Sequence, residues 1–243
     1  MAASPTTFMR LRQQCPTLSV GVLSADLMAL GPEISILERA GVGAVHIDVM
    51  DGCFTPTMTV GPPFVRAIRT SLLKDVHLMI REPLATLGDY VAAGADIITV
   101  HVEACTHVHR VLQQLGRTPH AADPARGIVR GIGLNPGTPL ETIEPLLDEI
   151  ELVVLLAVNP GWGGQSFIPS TYGRIARVKQ MIGAAEADVL VSVDGGVTRN
   201  NIDEIATAGA DLVVTGSAVF DGRSAAANAE SMLRTVRRDR IPG

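Results

Sequence analysis

AGADIITV, residues 93–100, reads as a helix running directly into a strand, and the join recurs elsewhere in the chain. The same small-residue signature stands at 40–47 (AGVGAVHI) and at 208–215 (AGADLVVT). Gly41, Gly94 and Gly209 are placed to close their helices in the left-handed conformation that glycine tolerates. The shared AGAD is an echo of one supersecondary unit, not a solenoid period. Around these joins short apolar runs recur, at 18–23, 44–50, 75–80, 97–102, 129–134, 152–158, 189–193 and 212–215. Helix-like segments separate them, at 31–39, 62–71, 83–92, 106–115, 140–148, 172–182, 200–208 and 225–238. Such alternation predicts a parallel sheet with helices outside. Eight units in about 220 residues predict an α/β fold of the (β/α)8 TIM-barrel type. A doubly wound sheet is the alternative, but no GxGxxG follows the first strand. Residues 1–243 are expected to form a single barrel domain, with 1–16 a short N-terminal tail.

Hydrophobic residues make up 47% of the chain and charged residues 19%, which describes a globular protein with a large core. Aromatics at 3% make that core aliphatic. A net charge of −5 gives no electrostatic reason to expect nucleic acid or an anionic membrane as partner. Cys15, Cys53 and Cys105 are far apart and outside any CxxC pair, the pattern of reduced thiols in a cytosolic protein. The N-terminus lacks the apolar core of a signal peptide, and the most apolar run, 152–158, is far too short to span a bilayer. A soluble, cytoplasmic protein is expected.

The second strand, AVHIDVMD at 44–51, carries the first chemical signal. Alternation puts His46, Asp48 and Met50 on one face and the β-branched Val45, Ile47 and Val49 on the other. An imidazole and a carboxylate inside an apolar strand need compensation, because burying an unpaired carboxylate costs several kcal/mol. In a (β/α)8 barrel the active site lies at the C-terminal ends of the strands. There the polar residues fall: His46, Asp48 and Asp51 on the second, His77 on the third, His101 with Glu103 on the fourth, Asp194 on the seventh. Asn135 and Asn159 follow the fifth and sixth. His46, Asp48, His77 and Asp194 form a candidate metal shell. Two imidazoles and two carboxylates suit a divalent first-row ion, Zn²⁺ first, with Fe²⁺, Mn²⁺ and Co²⁺ as alternatives. Glu103 could orient the His101 ring. His107, His109 and His120 lack this placement and read as ordinary surface or core residues.

Three glycine-bearing loops follow late strands: 159–167 (NPGWGGQSF), 194–201 (DGGVTRNN) and 216–220 (GSAVF). Glycine lets backbone N–H groups approach an anion, and loops after strands seven and eight are where barrels commonly hold a phosphate. A phosphate ester is the expected substrate. Lysine is scarce. Lys74 precedes the third strand at the far end, and Lys179 sits in a helical run, so a Schiff-base aldolase has no lysine at the site. A decarboxylase with an Asp–Lys–Asp motif would need lysine where Val49 stands. Metal, phosphate and two carboxylates together point to proton abstraction beside a carbonyl, with one carboxylate removing the proton and the other returning one to the opposite face. Epimerisation next to a ketone is the predicted reaction.

The chain closely resembles ribulose-phosphate 3-epimerases from Leu18 to about Met232. VLSADLMALG, VHIDVMDG with TPTMTVGP, DVHLMI, TVHVEA, LNPGTP, VNPGWGGQSFIP, VDGGV and TGSAVF occur in the order of that family. The resemblance implies a ribulose-phosphate-binding type of barrel and a divalent metal on His46, Asp48, His77 and Asp194. It implies Asp48 and Asp194 as the proton acceptor and donor pair. Substrate and phosphate would be met by His77, Gly161, Trp162, Gly163, Gly164, Gly195, Gly196, Gly216 and Ser217, with Met50 and Met79 as an apolar floor. The implied reaction converts D-ribulose 5-phosphate to D-xylulose 5-phosphate in the pentose phosphate pathway. The implied partner is a small-molecule ketose phosphate, and the implied assembly a homo-oligomer. Several positions depart from the family pattern. Gly21 replaces a substrate-binding serine, Leu156 a third methionine, Trp162 a phenylalanine and Cys53 a histidine; 117–127 (RTPHAADPARG) is an insertion that reads as a surface loop. Gly21 motivates an alternative substrate such as D-allulose 6-phosphate. A barrel that binds sugar phosphate without catalysis would be expected to have lost Asp48 or Asp194, and both are present.

Overall fold

Eight parallel strands close on themselves in a computed structural model of the chain that describes residues 5–238. They are β1 (Thr17–Gly21), β2 (Ala44–Met50), β3 (Leu73–Met79), β4 (Ile97–His101), β5 (Val129–Leu134), β6 (Leu152–Leu156), β7 (Leu190–Asp194) and β8 (Leu212–Thr215), in sequential order, with β8 returning to β1. The helices outside are α2 (Leu30–Ala40), α3 (Pro62–Ala67), α4 (Leu87–Ala92), α5 (Val108–Arg117), α6 (Ser170–Ala184), α7 (Ile202–Thr207) and α8 (Ala225–Arg237). The (β/α)8 expectation holds. The crossover expected as a helix at 140–148 is a 3-10 helix, Leu140–Glu149, containing Pro145. Proline lacks the N–H that an α-helix would use there and crowds the preceding turn. No helix among the described residues is long and apolar enough to cross a membrane.

Two apolar layers hold the barrel. The outward strand faces pack beneath the helices as one continuous cluster, including Val45, Ile47, Leu78, Ile98, Ile132, Val153, Val191 and Val213. The interior is filled at its N-terminal end by Ala44, Leu73, Ile97, Val129, Leu152, Leu190 and Leu212, the first residues of β2 to β8. Leu11 belongs to the same cluster and is fully buried. It comes from α1 (Thr7–Gln14), so the segment expected as a tail contains a helix that plugs the bottom of the barrel. Residues 1–4 of that segment lie outside the described residues.

The insertion at 117–127 is more than a surface loop. The Thr7 N–H donates to the Arg126 carbonyl and its hydroxyl to the Gly127 carbonyl, each at 2.8 Å. Arg126 and the buried His120 both donate to Asp96, at 2.6 and 3.2 Å. The insertion therefore ties the plug helix to the strand wall.

The AGAD repeat has a physical meaning. Gly94 and Gly209 sit at φ +89° and +103°, as expected for helix-closing glycines. The aspartates that follow clamp the preceding strand at two points. Asp96 donates its N–H to the Lys74 carbonyl (3.0 Å), and its carboxylate accepts the Lys74 N–H (2.9 Å). Asp211 does the same to Val191 (2.8 and 2.9 Å), and Glu151 to Arg130 (2.9 and 2.7 Å). Before β2, Gly43 makes the backbone bond alone, to Leu18 at 3.1 Å.

Candidate active site

Leu73 lies in the interior cluster, so the parity of β3 turns Asp75, His77 and Met79 inward as well. By the same rule Ala44 turns His46, Asp48 and Met50 inward on β2. His46 and His77 are buried, and Asp48 and Asp194 rise beside them into an open cavity of about 390 Å³. Asp194 ends β7, which is separated from β2 by β1 and β8.

The four side chains converge. His46 Nε2 is 3.2 Å from Asp48 Oδ1 and 3.6 Å from Asp194 Oδ2, and His77 Nδ1 is 3.1 Å from Asp194 Oδ2 and 3.7 Å from Asp48 Oδ1. One donor atom from each lies within 4.8 Å of all the others, so the cluster could hold a divalent metal ion. Ligands bound at 2.0–2.2 Å to one tetrahedral ion stand about 3.3–3.6 Å apart. The separations above bracket that spacing, and the donor set fits the group.

Hydrogen bonds from behind orient both rings. His46 Nδ1 is 2.8 Å from Asp75 Oδ2, which also accepts the Ser19 hydroxyl at 2.8 Å. An ionised carboxylate only accepts, so Nδ1 carries the hydrogen and Nε2 faces the cluster. Behind His77, Nε2 is 2.8 Å from His101 Nε2, and His101 Nδ1 is 3.1 Å from Glu103 Oε2. Room for the His101 ring comes from β5: a Cβ on Gly133 would stand 3.0 Å from its Cε1. Phe54 covers the ring, with centroids 5.0 Å apart.

Electrostatics follow from this packing. Burial opposes a charge on His46, but Asp75, Asp48 and Asp194 outweigh it and hold the imidazole well above its ordinary range. Burial likewise opposes ionisation of Asp194, and hydrogen bonds and charge from His46 and His77 overcome it, keeping the carboxyl far below the usual range. His101 is pushed down, first by burial, so it is neutral near pH 7. Glu103 is opposed by burial and yet lowered to about 2 by donors on His101, Thr138 and the Asn135 N–H.

Asp48, Met50, Met79, Asp194, Gly161, Trp162, Gly163, Gly164, Gly195, Gly196, Gly216 and Ser217 all line the one cavity, and His46 and His77 lie beneath it. Gly21 and Leu156 line it too. Asp51 does not: it caps its own loop, accepting N–H groups of Cys53, Phe54 and Arg81. The loops are stitched together. The Thr57 hydroxyl donates to the Gly161 carbonyl at 2.8 Å, and Gln165 donates to the carbonyls of Asn159 and Trp162 at 2.6 and 2.8 Å. Gly196, at φ +66°, lies so close to the next loop that a Cβ would stand 2.6 Å from the Phe167 nitrogen. Burial and the nearby Glu82 and Glu103 push the Cys105 thiol up to about 12, which leaves it unreactive.

Asp75 and Ser19 were not singled out from sequence. The signal for Asp75 was present, since it shares the parity of His77 two residues on. Ser19 shares that of Gly21.

A model of the ribulose-phosphate 3 epimerase family matches residues 17–220. Ribulose-phosphate 3-epimerase of Bacillus subtilis is 45% identical over 216 residues, covering 88% of this chain and 95% of that protein. The chloroplastic ribulose-5-phosphate-3-epimerase of Arabidopsis thaliana is 43% identical over 85% of this chain and 72% of its own, and the Escherichia coli K12 ribulose-phosphate 3-epimerase 41% over 84% and 88%. Among solved structures, KGPDC from Streptococcus mutans superposes with a TM-score of 0.65 at 16% identity, covering 92% of this chain and 98% of that one. A mutant tryptophan synthase alpha-subunit from Pyrococcus furiosus gives 0.62 at 18%, covering 91% and 98%. At such identities the structures show the shared barrel alone, whereas the family model spans every residue that lines the cavity. The chain belongs to the ribulose-phosphate 3-epimerase family.

Proposed function

We propose that this chain interconverts D-ribulose 5-phosphate and D-xylulose 5-phosphate through the carboxylates of Asp48 and Asp194. The observation that carries this reading is their placement: they reach one cavity from β2 and β7, against a shared pair of buried imidazoles. One carboxylate takes the proton from C3, and the electron pair of that C–H bond forms the enediolate with C2. The other, in its acid form, gives its proton to C3 from the opposite face as the carbonyl re-forms. In the reverse direction the roles exchange. Each positioned acid or base contributes about 10²–10⁴-fold. A divalent ion on His46, Asp48, His77 and Asp194 would supply a Lewis acid beside the carbonyl, and Zn²⁺ suits a compact set of two nitrogens and two oxygens, ahead of Fe²⁺, Mn²⁺ or Co²⁺. Met50, Met79 and Leu156 give the sugar an apolar floor, while the glycine loops around Gly164, Gly196, Gly216 and Ser217 receive the phosphate. Family membership also supports a homo-oligomer.

Gly21 supports a second substrate. A Cβ there would meet the Gly216 Cα at 3.6 Å, an ordinary contact, so the missing serine leaves room against the sugar. D-allulose 6-phosphate, longer by one carbon, would use that room. Turnover of a panel of ketose phosphates by the metal-loaded protein decides between them: D-ribulose 5-phosphate is expected to be the best substrate, and much faster turnover of another would overturn the first assignment. Chelation is expected to abolish activity and a divalent ion to restore it; full activity in the chelated protein would remove the metal from the reaction.

A further inference from the structure

Glu103 touches neither the cavity's carboxylates nor the metal cluster, yet it is held more elaborately than either. Its Oε1 accepts the Asn135 N–H at 2.8 Å and the Thr138 hydroxyl, and its Oε2 faces His101 Nδ1 at 3.1 Å. Each of these contacts constrains the next. The Asn135 N–H is a fixed donor, so Oε1 must accept. The ionised carboxylate has no hydrogen to give, so Oε2 accepts as well and His101 carries its hydrogen on Nδ1. A neutral imidazole with hydrogen on Nδ1 has only a lone pair on Nε2. That lone pair lies 2.8 Å from His77 Nε2, a distance that demands a hydrogen between the two nitrogens, and only His77 can supply it. With the Nε2 hydrogen fixed, the hydrogen His77 gives up to a metal is the one on Nδ1, which meets Asp194 Oδ2 at 3.1 Å; its loss leaves the Nδ1 lone pair facing Asp48 and Asp194, where a cation would sit.

We propose that Glu103 is a positioning residue for the metal, acting through His101 to hold His77 with its hydrogen on Nε2 and its Nδ1 free to ligate. The proposal rests on the metal reading of the cluster given above. It assigns the two rings different supports: His46 is set directly by Asp75, whereas His77 is set by a carboxylate one ring removed. The pairing is well made for the purpose, edge to edge through the two Nε2 atoms. The His77 and His101 rings lie at 11° to each other with centroids 5.0 Å apart, and the bare Gly133 backbone and the Phe54 ring hold His101 in place.

Glutamine at 103 tests the chain of donors, because it keeps the shape and inverts the polarity. Its carbonyl is claimed by the fixed Asn135 N–H, which turns its NH₂ toward His101 Nδ1. His101 must then move its hydrogen to Nε2, where it confronts the Nε2–H of a metal-ligating His77. The Glu103→Gln protein is expected to bind Zn²⁺ about 10–100-fold more weakly than the wild type, read by competition with a chromophoric chelator. Removing the second ring should cancel the conflict. In His101→Gln the amide can turn its oxygen to His77 whatever stands at 103, so Glu103→Gln/His101→Gln is expected to bind Zn²⁺ more tightly than Glu103→Gln alone. A purely structural role would make the double variant the weaker one and overturn the proposal, as would unchanged Zn²⁺ affinity in Glu103→Gln. Nitrogen-15 NMR of the wild-type ring provides a test without any substitution. His101 is expected to carry hydrogen on Nδ1 with and without Zn²⁺, and hydrogen on Nε2 would refute the relay even if the epimerase assignment stood. Conversely, failure of the wild type to bind Zn²⁺ while His101 kept its Nδ1 hydrogen would overturn the metal reading and the proposed role of the relay with it.

Discussion

Asp194 carries the sharpest residue-level expectation. Replacing it with asparagine keeps the size of the side chain and removes the group that accepts or returns the proton. Asp194→Asn is expected to lower kcat by about 10²–10⁴-fold while inorganic phosphate still competes for the cavity, measured by coupled assay and inhibition. Near-normal kcat would end the two-carboxylate scheme. At this scale the sequence is most transparent where a polar side chain breaks an apolar strand, as with His46, Asp48, His77 and Asp194. Asp75 obeys the same parity but lies two residues deeper, beneath the strand ends where catalytic groups are sought. Gly133 was opaque for another reason. Its small size matters only because His101 lies over it, and which residues stand side by side on neighbouring strands is a matter of register.

At the scale of an element, the loops after β6 and β7 depend on one close approach. Gly196→Ala places a methyl group 2.6 Å from the Phe167 nitrogen in a backbone conformation that disfavours any side chain. Local strain of about 1–3 kcal/mol is the expected result, with KM for the ketose phosphate rising roughly tenfold and kcat changing less. Steady-state kinetics would show it; an unchanged KM would mean the loops can separate at no loss. Element types followed from periodicity, and most boundaries moved by one or two residues. Two helix ends moved by four: the helix expected from residue 83 opens as a separate 3-10 turn, Pro83–Ala85, with α4 starting only at Leu87, and α3, expected to reach residue 71, ends at Ala67. Beyond it Thr70 and Ser71 turn to Glu38, which accepts the Thr70 hydroxyl at 2.7 Å and the Ser71 N–H at 2.8 Å. A carboxylate on another helix decides where this one stops, and no local pattern carries that information.

For the whole molecule, the interior of the barrel has a chemical end and a closed end. Leu11 seals the closed end, so Leu11→Ala is expected to cost about 2–5 kcal/mol of stability, read from denaturant unfolding, while KM stays near its wild-type value. A loss below about 1 kcal/mol would show that α1 merely rests on the barrel. This arrangement was hidden from the sequence because α1 offers only Leu11 as a fully buried apolar anchor, too little to mark an amphipathic helix, and because its tether is the insertion at 117–127.

The carboxylates that clamp Lys74, Arg130 and Val191 have a consequence for how the barrel finds its alignment. A strand that slips by one residue turns its apolar side chains the wrong way and is rejected by solvent. A slip of two residues, about 6.6 Å, passes that filter, since every side chain keeps its proper face. Asp96, Glu151 and Asp211 supply the missing discrimination: after such a slip each would face the wrong amide, and Glu151 would also part from the Arg130 guanidinium. Hydrophobic alternation reads strand position modulo two, and these three acids read its absolute value. The alignment of histidines and aspartates at the far end of the barrel is thus set by groups that never meet the substrate.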